Sequence, residues 1–151
     1  MTKGVISSSV LSRVAFLLTT FWAGSLWTVC GLVAPALFVM LDDHRMAGQL
    51  AGYFFLLETW IGVVIGSTVI LLNLAQKYWL PSRWPVLTAA GLPLLSHLAL
   101  GPLMERARLR GDMSRFGLLH GVAGGCFFVA CIALLVLIWK LSARPINPPA
   151  G

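Results

Sequence analysis

Charge is what this chain has least of. Charged residues make up 11% of its 151 residues, where a soluble domain carries ~25%. Only five are acidic, and between Val14 and Leu41 there is no charge of either sign. Such a run cannot be the surface of a dissolved domain, so a soluble globular protein is excluded. Cysteine is scarce as well. Cys30, Cys126 and Cys131 all fall inside apolar runs. An odd number with no water-facing member argues against a disulfide framework, and each reads as a small buried hydrophobe. Nucleophile elbow, phosphate loop, Gly-rich dinucleotide turn and zinc-spaced Cys pairs are missing. An enzyme is therefore the less favoured reading. The net charge is +6, but basic residues are not interleaved with aromatics as in single-strand binders. Nucleic acid is not an expected partner.

What remains is apolar length. The chain is 58% hydrophobic with a mean hydropathy of +0.88, against ~45–50% apolar in soluble domains. A bilayer-crossing helix needs ~20 apolar residues. Four runs meet that need, at about 14–41, 51–75, 86–104 and 116–141. The expected fold is all-α: one antiparallel bundle of four transmembrane helices, with the lipid bilayer as its solvent. Lys3 and Arg13 precede the first run, which is far longer than a ~7–15-residue signal core, so an uncleaved anchor is expected.

The runs are not uniformly greasy. Gly24, Thr28, Gly31 and Pro35 recur at helical steps in the first, and Pro35 can kink it. Gly48 and Gly52, then Gly62 and Gly66, repeat in the second. Gly117, Gly121, Gly124 and Gly125 mark the fourth. Small-residue stripes let helix backbones approach closely in lipid. They predict packed faces lining the interior, and a homo-oligomer or larger membrane complex where they exceed what the bundle needs. Trp22, Trp27 and Trp60 read as packing residues.

The connections are polar. Residues 42–46 form a tight turn. Lys77, Tyr78, Trp79, Pro81, Arg83, Trp84 and Pro85 suit an interfacial belt. Residues 105–115 read as a charged, headgroup-facing loop that begins by continuing the third helix. Trp139 and Lys140 mark the last exit, before a Pro-rich tail. Even-numbered spans put both termini on one side. Lys3, Arg13, Lys77, Arg83, Lys140 and Arg144 slightly outnumber Arg45, Arg106, Arg108, Arg110 and Arg115. Cytoplasmic termini are expected.

Ionisable groups inside spans are expensive and face a bundle interior or water. There are three: Glu58, His97 and His120. Counted at ~1.5 Å per residue from the end shared by 42–46 and 105–115, all lie roughly 6–11 Å below one face. Met40, Met46, Met104, Met113 and His44 sit at that end. Imidazole and thioether suit copper or another soft metal. Glu58, His97 and His120, with Met104 and Met40, are thus candidate ligands or proton-relay groups. The alternatives are hydrogen bonds that only specify packing, for example to Ser96 and Thr59, and haem or quinone contact.

Gly31-Leu-Val-Ala-Pro35-Ala-Leu-Phe38, then Met46-Ala-Gly48-Gln-Leu-Ala-Gly52 with Phe54 and Phe55, and Phe116-Gly-Leu-Leu-His120-Gly121 together resemble the transmembrane-protein-205-like family. The resemblance implies a four-span integral membrane protein and carries over no agreed catalytic residue. Of the site candidates, His120 lies in a matched motif. Three readings of function follow: soft-metal or proton handling, an accessory subunit of a larger complex, and a haem- or quinone-linked redox protein.

Overall fold

A computed structural model describes residues 8–75, 80 and 82–142. Among them every regular element is helical. We number four rods. α1 is one continuous rod made of an α-helix Ser8–Thr28, a π turn Val29–Val33 and an α-helix Ala34–Met40. α2 is His44–Ala75, α3 is Trp84–Leu109 and α4 is Met113–Ser142. Each is long and apolar enough to cross a bilayer. The chain is an all-α, multi-pass membrane bundle.

The helix ends follow local chemistry. Asp43 caps α2: its Oδ1 accepts from the Arg45 and Met46 amides at 2.8 and 3.3 Å. The cap starts α2 at His44 and leaves only residues 41–43 between the first two rods. The segment 105–115 begins, as expected, by continuing the third helix, and only residues 110–112 are non-helical. α3 continues to Leu109 because its arginines project outward, as the exposed 2.9 Å Arg108–Glu105 pair shows. Gly111, at φ 71°, then ends it. The Asp112 amide donates to the Ala107 carbonyl at 3.0 Å and the Gly111 amide to that of Arg108 at 3.1 Å. Only a residue at ease in the left-handed region closes a helix this way. Asp112 at once caps α4 through the Arg115 amide at 3.0 Å. Of the interfacial belt, Lys77, Tyr78, Trp79 and Pro81 lie outside the described residues, as do residues 1–7 and the Pro-rich tail.

Pro35 does not simply kink α1. It lacks the N–H that would bond the carbonyl four residues back. The rod instead widens just before it, and the Ala34 amide donates to the carbonyl of Val29. Gly24, Gly31 and Pro35 do not form an interior face. All three are exposed.

The core is built at the other end of the bundle from the 41–43 and 110–112 turns. Trp22 and Leu26 of α1, Ile65 and Val69 of α2, Val86 and Ala89 of α3, and Phe127, Ala130, Cys131, Leu134 and Leu137 of α4 are buried there. Trp22 is the wedge. A methyl added at Gly62 would lie 2.9 Å from its Cζ2. One added at Gly66 would lie 3.0 Å from Ala90 Cβ and 3.7 Å from Trp22 Cη2. These two glycines make room for the indole. The other expected packing glycines behave differently. At Gly24, Gly31, Gly52, Gly117, Gly121 and Gly124 a methyl would meet nothing within 4 Å, and Gly48 only brushes Phe38 at 3.9 Å. They do not line a closed interior. Trp27 and Trp60 are also partly outward, at 37% and 53% exposed.

Asn73 ties down the far turn. It is 1% exposed, and its Oδ1 accepts from the Leu80 amide at 2.8 Å.

Gly62→Ala is expected to destabilise the bundle by roughly 1–3 kcal/mol, the range for overpacking a filled interior. Gly24→Ala should leave stability unchanged or slightly raised, since alanine is the better helix former. Denaturation in mixed micelles followed by tryptophan fluorescence separates the two. Equal midpoints would remove the Trp22–Gly62 contact as a determinant of packing.

Candidate functional site

Towards the 41–43 and 110–112 turns the bundle opens. Ala34–Met40 packs against α2, and a cleft of about 440 Å³ separates the hairpins. Small residues floor and wall it: Ala34, Ala51, Gly52, Gly121, Ala123 and Gly124. Gly52, Gly121 and Gly124 among them belong to the stripes expected to close helix–helix contacts. Without bulk from either side to fill the gap, they leave a hollow instead. Phe38, Phe55 and Phe127 supply aromatic walls. The Phe55 and Phe127 rings pack at 4.7 Å between centroids, tilted by 52°, and join α2 to α4 at the cleft.

Two of the three intramembrane ionisable residues line this cleft. His97 of α3 and His120 of α4 both line the cleft and are accessible through it. The His120 imidazole stacks on Phe116, one turn earlier, at 5.9 Å and 12°. That contact holds the ring on its helix face. Met104 and buried Ser96 line the same space. The Thr59 hydroxyl, also on the wall, donates to the Phe55 carbonyl at 2.9 Å. His44 lies outside the lining and packs edge-on against Phe38 at 6.3 Å.

Glu58 is placed elsewhere. It is 4% exposed and does not line the cleft. The Ser25 hydroxyl of α1 has one hydrogen to share between Glu58 Oε2 at 3.2 Å and the Trp22 carbonyl at 3.0 Å. With α2 beginning at His44, Glu58 lies about 21 Å along its helix from the turn, against about 18 Å for His97 and 10 Å for His120. The common depth expected for the three does not survive these helix lengths. Among the described residues, no three His, Cys, Asp or Glu side chains gather closely enough to hold a metal ion. Met40 is 80% exposed and outside the lining, so the methionines do not converge either; Met46 and Met113 are 51% and 60% exposed.

One feature had no signal in the sequence. The Cys131 thiol lies 3.9 Å from that of Cys30, across the α1–α4 contact. Cys30 sits in the π turn and also lines the cleft. Residues so far apart in sequence have no spacing rule to connect them. Only the assembled bundle brings them together.

Ser25→Ala is expected to cost roughly 1–3 kcal/mol, by leaving a buried carboxyl without its hydrogen-bond partner. Adding Glu58→Leu should recover most of that loss. A double-mutant cycle in micelles reads the coupling, and strictly additive effects would show that the pair does not hold α1 to α2.

Residues 17–113 match the family model described as Domain of unknown function (DUF4149). No match was found among curated proteins or among solved structures. The match spans α1 to the start of α4, and the chain belongs to the DUF4149 family.

Proposed function

We propose that this DUF4149 member binds a small, mostly apolar molecule with a polar head in its intramembrane cleft, a quinone-type compound being the best fit. The observation that carries this is the placing of His97 and His120 on one hollow walled by aromatic and small residues. A mostly apolar lining with a few convergent polar groups is the usual form of a small-molecule site. Two imidazoles can donate to carbonyl oxygens of a planar ring while Phe38, Phe55 and Phe127 hold its face. The cleft volume of about 440 Å³ suits such a ring and the first part of a tail better than a bare ion.

A second reading keeps the soft metal or proton. Its support is Met104, whose thioether lines the same cleft as the two imidazoles. His97, His120 and Met104 would then be the ligands, with Glu58 a buried group apart from them. The accessory-subunit reading draws on the α4 glycines at 117, 121 and 124, where an added methyl would meet nothing within 4 Å among the described residues. A homo-oligomer or a larger membrane complex would cover them. Within the family, the short motifs from Gly31 to Gly52 and from Phe116 to Gly121 support placing the chain beside the transmembrane-protein-205-like proteins. The weak excess of Lys and Arg on the terminal side supports cytoplasmic termini.

A decyl-substituted benzoquinone should bind the purified protein in nanodiscs saturably, read by quenching of tryptophan fluorescence. His97→Ala and His120→Ala should each weaken binding about tenfold, one lost hydrogen bond to a buried group. Gly121→Leu should abolish it with helical content intact, because a Cβ there meets nothing within 4 Å and the rest of the side chain grows into the hollow. Binding indifferent to all three changes would refute the cleft as the site. Stoichiometric copper lost with the histidine and Met104 changes, without quinone binding, would select the metal reading. Independently, a reporter fused after Gly151 should be active only on the cytoplasmic side.

A further inference from the structure

The cleft does not end in inert carbon. At its floor stands the Cys30 thiol, and 3.9 Å behind it the thiol of Cys131. Cys131 is fully buried, and all three cysteines are free. Thiols from separate rods meeting at van der Waals contact, one reachable from a cavity and the other shielded, match what a dithiol–disulfide couple requires: an attacked sulfur with access and a resolving sulfur beside it. A metal ion is a poorer occupant. It would need both thiols deprotonated in a low-dielectric setting, and no third His, Cys, Asp or Glu joins them among the described residues. A disulfide there is neutral.

We propose that Cys30 and Cys131 form a redox-active dithiol that passes two electrons and two protons to a quinone-class acceptor in the cleft. The Cys30 sulfur adds to a ring carbon of the acceptor, forming a C–S bond. The Cys131 sulfur then attacks the Cys30 sulfur. The S–S bond forms as the C–S bond breaks, and the bonding pair stays with the ring. The two thiol protons finish on the two ring oxygens. The dithiol is oxidised to a disulfide joining α1 to α4, and the quinone is reduced to a hydroquinone. The π turn Val29–Val33 supplies the adjustment, because a widened turn lets Cys30 rotate without unwinding the rod. The acceptor's place in the cleft rests on the function proposed above; the pairing of the two thiols does not.

The test uses the purified full chain in nanodiscs, with decyl-benzoquinone in one arm and diamide, a thiol oxidant that needs no cleft, in the other. After each, the protein is denatured and alkylated with N-ethylmaleimide, and its intact mass is measured. Both arms are expected to reduce labelling from three thiols to one, Cys126. Digestion should then yield a peptide joining Cys30 to Cys131, and hydroquinone should appear in the first arm in equal amount. Cys126→Ser should fall from two labels to none. Gly121→Leu should block the quinone arm and spare the diamide arm. Three labels after both oxidants, or a bridge that uses Cys126 or a second chain, overturns the dithiol. Closure by diamide but not by quinone overturns the acceptor and counts against the cleft reading, while the pairing stands.

Discussion

The seating of the Trp22 indole between Gly62 and Gly66 sets the rest of this bundle. Inside a bilayer, helices gain little from leaving lipid for one another, because the tails are as apolar as leucine. Shape must supply the attraction. A tryptophan fills a gap only where two opposing positions carry no side chain, and α2 offers such a pair four residues apart. Gly66 also lies against Ala90 of α3. One wedge therefore fixes how α1, α2 and α3 meet. Nearer the 41–43 turn, Phe38, Phe55 and Phe127 wall a cleft instead of filling it.

The buried polar groups follow from that asymmetry. In the closed half two of them reach another element: Glu58 accepts from Ser25, and Asn73 Oδ1 from the Leu80 amide, while Thr19 donates back to the Ala15 carbonyl of its own helix and Asn73 Nδ2 has no partner among the described residues. A polar group in oil without a partner costs several times what a typical hydrogen bond contributes in water. In the open half, His97 and His120 do not need each other, because the cleft reaches the outside. The same residue classes thus serve two ends. In the packed half they specify one arrangement, and in the hollow half they are available to an occupant.

The four rods were legible because each apolar run is about as long as a bilayer requires or longer, and is punctuated by short polar segments. Both tight turns were also written in the chain, as Asp43 and as Gly111–Asp112. The second was read as longer than it is: the third helix continues as expected, exposing Arg106 and Arg108, and the fourth starts at Met113, leaving only residues 110–112 between them. The site was half legible. His120 could be placed by counting along α4. Glu58 and His97 could not, because Asp43 starts α2 about two turns before Ala51 and α3 runs on past Met104 to Leu109, so depths counted from Ala51 and Met104 are too shallow. The glycines misled for a different reason. Spacing says that a face is small; it does not say whether a neighbour arrives to use the room. At Gly62 and Gly66 one does, and at Gly121 and Gly124 the room stays open.

The π turn connects these observations. Pro35 cannot donate to the carbonyl four residues back, and a straight α-helix would leave that group unpaired in oil, where no water compensates. Widening the preceding turn re-routes the hydrogen bonds and adds a residue to it. Everything beyond is rotated relative to an ideal count. Beyond it, Pro35 and Phe38 line the cleft. Cys30, within the turn itself, is presented to the cleft and to Cys131 together. A single missing N–H thus both opens the hollow and places a thiol at its base. It is also why reading α1 at 3.6 residues per turn misses both.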